Sequence, residues 1–293
     1  RRSGNAPRRS GNAPNGWPSD CARWALIPTL WTLANQAGKT NSEDKSMAMT
    51  RVDAGRGWGW IVEGWQLFVK APGIWIVIML IYLGISVVLS LIPFVGSLAS
   101  MLVSPVLAGG MLYGAATQVR GESLEITHLF RGFQDQERMG PLVLLGAISL
   151  GGYVLMALVV VLFMGGGLMM GAAMDSTGAI VPPEAMGGLF AGAGLLAGLI
   201  LLVVLALITM ALFYGVPLVM LGGQNAWPAA QDSVAACWTN MLPLLVFGLI
   251  YLVLVVVAII PFGLGLLILG PVTVGAVYAS YREVFGVGVN SAR

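Results

Sequence analysis

Between Lys70 and Arg120 the chain carries no charge: residues 71–119 contain no Asp, Glu, Lys or Arg. At about 1.5 Å of rise per residue, a helical stretch of that length crosses a ~30 Å hydrocarbon core twice. The run from Pro72 to Pro105, PGIWIVIMLIYLGISVVLSLIPFVGSLASMLVSP, has a tight turn, IPFVG, near its middle and so reads as two helices inserted as a pair. Composition extends the argument to the whole chain. Hydrophobic residues make up 57% and charged residues 10%, against about 25% charged in a soluble domain. A soluble fold is excluded, and the expected class is all-α: a polytopic membrane helical bundle, because helices satisfy their own backbone groups in lipid.

Residues 1–46 differ from the rest. They open on a tandem heptad, RRSGNAP RRSGNAP, and are rich in Pro, Gly, Asn and Ser, a composition that buries too little apolar surface to order a chain. They are expected to be a disordered or non-native extension, with Met47 or Met49 a more natural start. The apolar run Cys21–Trp31 is too short for a span and reads as a loop, with a surface-lying helix as the alternative. The domain layout is then 1–46 extension, 47–285 membrane domain with six spans, and 286–293 tail.

Six apolar blocks follow, at about Gly73–Ile92, Gly96–Thr117, Pro141–Met164, Leu189–Met220, Pro243–Ile260 and Leu264–Ser280. They read as three hairpins, with a loop at 165–188. Pro72, Pro141 and Pro243 stand at the start of the odd blocks; Pro105, Pro217 and Pro271 lie inside the even ones, where a missing N–H is expected to break or bend the helix. The turn IPFVG recurs as IPFG at the third hairpin. Each hairpin is led by an amphipathic segment. In the first, Trp58, Ile61, Trp65 and Phe68 fall at helical spacing opposite Glu63, Gln66 and Lys70. Trp58, Trp60, Trp65 and Lys70, with Trp227 and Trp238 of the third segment, are candidate interfacial, lipid-facing residues, since indoles favour headgroup depth and cations meet lipid phosphates. The alternative, that the stripe packs on the protein's own bundle, stays open. Gly188, Gly192, Gly194 and Gly198 are small-xxx-small pairs suited to close helix packing.

From Met47 onward the cations are Arg51, Arg56 and Lys70, then Arg120, Arg131 and Arg138, then Arg282 and Arg293. With six spans all eight fall on one side, which the positive-inside rule makes cytoplasmic, with both termini there.

The run GWGWIVEGWQLFVKAPGIWI, the turn LIPFVG, the segment SPVLAGGMLYG and GESLEITHLFRGF resemble an uncharacterised family of bacterial inner-membrane proteins. More loosely, the hairpin pattern is similar to the membrane domain fused to some glycerophosphodiester phosphodiesterases. The resemblance implies a six-helix domain in a bacterial inner membrane. It carries no catalytic residues across.

Functional chemistry is sparse. Cys21 and Cys237 lie far apart, and His128 is the single histidine, in a charged loop where a solvated or capping role is expected. The methionines at 164, 169, 170, 174 and 186 read as gap fillers rather than thioether ligands. No catalytic, cofactor-binding or metal residues are expected, and a net charge of +2 gives no reason to expect nucleic acid. No Asp, Glu, Lys, Arg or His lies within a span, which argues against ion-coupled transport. Ser86, Ser90, Ser100, Ser104 and Thr209 are candidates to line a path, with bonding to a preceding carbonyl as their ordinary role. The expected function is non-enzymatic: a scaffold, assembly or lipid-associating protein whose partners are membrane lipids and a protein at the cytoplasmic face. The alternative is a permease or channel-like domain for an uncharged or lipidic molecule. A polar cavity between the proline-containing spans would favour transport, and a closed dry bundle a scaffold.

Overall fold

The structure, a computed structural model, describes residues 49–177 and 183–287, and the side chains of these except over 167–191. Among the described residues all regular structure is helical: α1 (Arg56–Lys70), α2 (Pro72–Ser90), α3 (Val95–Val119), a 3-10 turn (Ile126–Phe130), α4 (Arg131–Gln134), α5 (Gln136–Thr177), α6 (Pro183–Met220), α7 (Ala226–Thr239), α8 (Met241–Ile259) and α9 (Leu266–Val284). The expectations for residues 1–46 and for Cys21–Trp31 lie outside the described residues.

Five of these helices are long and apolar enough to cross a membrane: α2, α3, the stretches Gln136–Gly166 of α5 and Gly192–Met220 of α6, and α8. The sixth expected block is helical as α9, but Arg282 and Glu283 in its last turns dilute its apolar character. Pro72 sits in the first turn of α2, where its missing N–H has no helical partner to lose. Pro105, Pro217 and Pro271 lie inside α3, α6 and α9, and each helix runs on through its proline. They remove one ladder bond without ending the helix, which corrects the expected break. The loop expected at 165–188 is also different: α5 continues to Thr177 and α6 starts at Pro183. Leu, Met and Ala, strong helix formers, outweigh the glycines there, and Pro183 fits a first helical position.

Neighbouring apolar helices run antiparallel. The Trp75 indole N–H at the start of α2 donates to Gln118 Oε1 near the end of α3 at 3.2 Å. Arg138 Nη1 at the start of α5 donates to the Val219 carbonyl near the end of α6 at 3.0 Å. At the opposite end, the α2–α3 connection is a γ-turn centred on Phe94 (φ 59, ψ −58), with Val95 N–H donating to the Pro93 carbonyl at 2.7 Å. Phe262, which follows Pro261 in the α8–α9 turn, also has positive φ, 54.

The amphipathic segments are packed against the hydrophobic helices. α1 lies along α9 and touches α8, the 3-10 turn and α4 lie against α3, and α7 lies against α6 and α5. Backbone contact makes the α1–α9 seam: a Cβ built on Gly64 would collide with the Val272 carbonyl oxygen, and one on Gly275 would fall 2.8 Å from Gly64 Cα. Only glycine allows that approach. Burial follows these seams. In α2 it covers Trp75, Ile78 and Met79, in α3 mainly Pro105 to Gln118, and in α9 Leu269 to Val284.

Candidate functional site

Four arginines from three segments of the chain make two groups of contacts. Arg120 and Arg131 both lie over the Tyr113 ring, at 5.7 and 5.3 Å from its centroid. Arg282 lies 5.6 Å from the Tyr278 ring, and Arg120 is close enough to Tyr278 to act on it electrostatically. Arg282 also bonds Glu63, which holds Arg56 at 2.7 Å. Arg56 Nε in turn donates to Glu283 at 2.8 Å. Its hydrogen bonds to Glu283 and then Glu63 push the Arg56 guanidinium above its ordinary range. Glu122 does the same for Arg120. The Arg131 side chain, by contrast, has no ion pair or hydrogen bond among the described residues; the Tyr113 ring is its contact.

The tryptophans around this charged end divide. Trp58, Trp65, Trp227 and Trp238 are exposed, and so is Lys70. Trp60 is fully buried, with its ring against Phe247 and its indole N–H donating to Glu283 Oε2 at 2.7 Å. Its lipid-facing assignment is corrected: on α1 it lies on the side that meets α8 and α9, where the buried indole N–H needs an acceptor and Glu283 supplies one. The other tryptophans rim two apolar grooves. Trp58 and Trp65 edge one of about 470 Å³ against α8 and α9, and Trp227 and Trp238 one of about 920 Å³ against α5 and α6.

His128 caps the 3-10 turn. Its Nδ1 accepts from the Glu125 N–H at 3.2 Å and its ring meets Tyr113 edge-on, so the capping role is the observed one. Cys237 is buried, its thiol directed at the Met210 carbonyl, and burial pushes its pKa up to about 12. Ser233, one turn earlier on α7, inserts into the α6 ladder: Tyr214 N–H donates to Ser233 Oγ at 2.9 Å, and Ser233 donates to the Met210 carbonyl. The hydroxyl thus bridges the two backbone groups of one ladder step, just ahead of Pro217 in the same helix.

Two neighbouring open clefts lie between the helices. The first, about 490 Å³, is walled by α2, α3, α5, α6, α8 and α9 and presents Tyr82, Tyr153, Tyr251, Ser104, Thr209 and Thr273. The second, about 550 Å³, lies beside the α2–α3 turn and presents Ser90, Ser97, Ser100 and Ser149. Ser104, Tyr153 and Leu212 belong to both. Neither wall contains an Asp, Glu, Lys, Arg or His. Among the expected path-lining hydroxyls, Ser86, Ser90, Ser100 and Thr209 bond carbonyls of their own helices, while the Ser104 hydroxyl makes no hydrogen bond among the described residues. Pro105 lines the first space, whereas Pro217 and Pro271 are buried without lining either. Gly192, Gly194 and Gly198 are exposed, with nothing within 4 Å of a Cβ built on them; Gly188 belongs to α6, and its surroundings lie outside those described. Sequence reasoning misses the tyrosines, although each interrupts an otherwise apolar run, which is the signal that marks them.

Among the described residues no three His, Cys, Asp or Glu side chains gather to hold a metal. No family profile matches the chain, and no solved structure matches it. The chain is similar to a probable inner membrane protein of Burkholderia thailandensis, 25% identical over 268 residues, an alignment that spans 82% of this chain and 95% of that protein. With the apolar helices, this similarity identifies the chain as a multi-pass helical protein of the inner membrane.

Proposed function

We propose that the protein is a non-enzymatic, lipid-associating scaffold that crosses the inner membrane six times as three hairpins, with α9 as the sixth crossing and both termini in the cytoplasm. The observation that carries the reading is the exposed character of the amphipathic segments: an Arg131 with no ion pair among the described residues, an exposed Lys70, and exposed Trp58, Trp65, Trp227 and Trp238. Such a surface suits anionic headgroups, with cations at phosphate depth and indoles below them. One-sidedness is supported by the contacts that join Arg56 to Arg282 through Glu63 and Arg120 to Arg131 through Tyr113. The Trp75–Gln118 bond supports it as well, because Trp75 follows Lys70 by five residues and Gln118 precedes Arg120 by two. The non-enzymatic reading is supported by the carboxylates: Glu63, Glu283, Glu122 and Asp135 are held in ion pairs with arginine. The resemblance to phosphodiesterase membrane domains adds only a hairpin pattern to this proposal.

The test is thermal stability in nanodiscs. Phosphatidylglycerol raises the melting temperature over phosphatidylcholine, and Lys70→Gln with Arg131→Gln removes that difference. Equal stability in the two lipids refutes the reading. Cysteine accessibility at 70, 131 and 282 from the same membrane face tests the topology. A second reading, a permease for an uncharged or lipidic molecule, is favoured by the hydroxyl-bearing clefts between the helices. Solute flux in proteoliposomes decides it.

A further inference from the structure

The two neighbouring clefts differ from the apolar grooves in what their walls offer. All four are open to the surroundings, but six helices line the first cleft and bring hydroxyls to it. Its walls carry no charge, so an ion or zwitterion entering it would lose hydration without a counter-charge. They are also not inert. The hydroxyls of Tyr82, Tyr153, Tyr251 and Ser104 make no hydrogen bond among the described residues and remain available as donors. Ser90, Ser97 and Ser100 spend their protons on the carbonyls of Val87, Phe94 and Gly96, at 2.7, 2.8 and 2.8 Å. Ser149, Thr209 and Thr273 do the same with Gly146, Leu205 and Leu269. Their oxygens therefore face the space as acceptors.

Free donors and acceptors side by side, among Leu, Ile and Val, make a complementary set. It fits a neutral amphiphile with ester carbonyls to accept from the phenols and a free hydroxyl to donate to a serine. At about 490 and 550 Å³ the spaces fall in the ordinary range for small-molecule sites. The geometry points to a binding site for an uncharged glycerolipid of the diacylglycerol type, with its acyl chains along the apolar walls and its head among these hydroxyls. The site deepens the permease reading by naming a ligand class, but its test reads binding rather than flux. A lipid that binds without moving sinks the permease and leaves the site.

The probe is a diazirine-bearing diacylglycerol added to the full chain in phosphatidylcholine nanodiscs, with cross-links mapped by mass spectrometry. Labelling saturates, falls on α2, α5, α6 or α8, and is displaced by unlabelled dioleoylglycerol but not by phosphatidylglycerol. The combined variant Tyr82→Phe, Tyr153→Phe, Tyr251→Phe keeps the rings and removes the donors. It weakens saturable labelling about tenfold, the effect of about 0.5 kcal/mol per lost hydrogen bond over three bonds. Ser86→Ala, whose hydroxyl bonds the Tyr82 carbonyl and lies outside both walls, leaves labelling unchanged. Labelling that rises linearly with probe, survives the triple variant, or yields equally to phosphatidylglycerol overturns the assignment.

Discussion

The charged end and the far end of this bundle are built from the same apolar helices and packed by different rules. At the charged end, side chains from α1, α8 and α9 close on one another: Trp60 is buried against Phe247 and bonded to Glu283, and Gly64 touches α9 through backbone. At the far end, Val87, Val88, Leu91 and Ile92 of the α2 end and Val154, Leu155, Val161 and Leu162 of α5 are exposed. In water such a surface would drive aggregation; in hydrocarbon it has nothing to gain by packing. Helices in lipid need to be fixed to one another where backbone and polar groups interlock; at the charged end this joins α1 to α9, whereas at the far end the close approaches of Gly96 and Gly265 lie within the two turns.

The sharpest way to break this contrast is to add bulk to one glycine at each end. Gly64→Leu drives a side chain into the Val272 carbonyl and Ala276, and is expected to lower stability by about 3 kcal/mol or more. Gly192→Leu meets open space and is expected to change it by less than about 0.5 kcal/mol. Thermal unfolding in one detergent compares them, and equal losses would mean that the far half packs as tightly as the near half.

Glu283→Gln comes next. It weakens the acceptor for Arg56 and Trp60 together, but the Arg56 side chain is 41% exposed, and solvent screening limits the loss to about 1–2 kcal/mol. High salt should shrink the difference between wild type and variant; an unchanged difference would assign the effect to packing.

Cys237 gives a smaller, pH-dependent signal. Burial raises its thiol from an ordinary 9.0 to about 12, so the folded state holds the proton more tightly than the unfolded chain. Stability from this source is complete below about pH 9 and is lost as pH rises toward 12. Cys237→Ala should flatten that part of the stability profile. In a Cys21→Ser background, native protein should resist alkylation at pH 8 and react on unfolding; rapid native labelling would show that the α6–α7 seam is open.

How much of this contrast is legible in the sequence depends on the scale of the pattern. The charge-free blocks and their lengths announce membrane helices directly, and the Trp58–Ile61–Trp65–Phe68 spacing locates the amphipathic helix. Within that helix the pattern fails residue by residue: Ile61 and Phe68 are buried while Trp58 and Trp65 are exposed. Periodicity identifies a stripe but not whether lipid or protein covers each part of it. Trp60 is decided by Glu283, a partner 223 residues away, and no local spacing encodes that. The 165–188 segment reads as a loop through its glycines, whereas its Leu, Met and Ala carry the helix onward. The cleft is unreadable for a similar reason: Tyr82, Tyr153 and Tyr251 sit on three different helices and line one cleft only after packing.

The smallest expected effect concerns the turn that closes the far end. Phe94 is 87% exposed and adopts a left-handed γ-turn conformation that L side chains rarely occupy. Its ring gains no packing in return. Strain of this kind costs about 1–3 kcal/mol, and glycine relieves it while adding roughly 0.5–1 kcal/mol of chain entropy to be lost on folding. Phe94→Gly should therefore leave stability unchanged or raise it by about 1 kcal/mol. A clear loss of stability would mean that the ring holds the turn against lipid. The far end would then be anchored at its tip, and its looseness would be confined to the space between the helices.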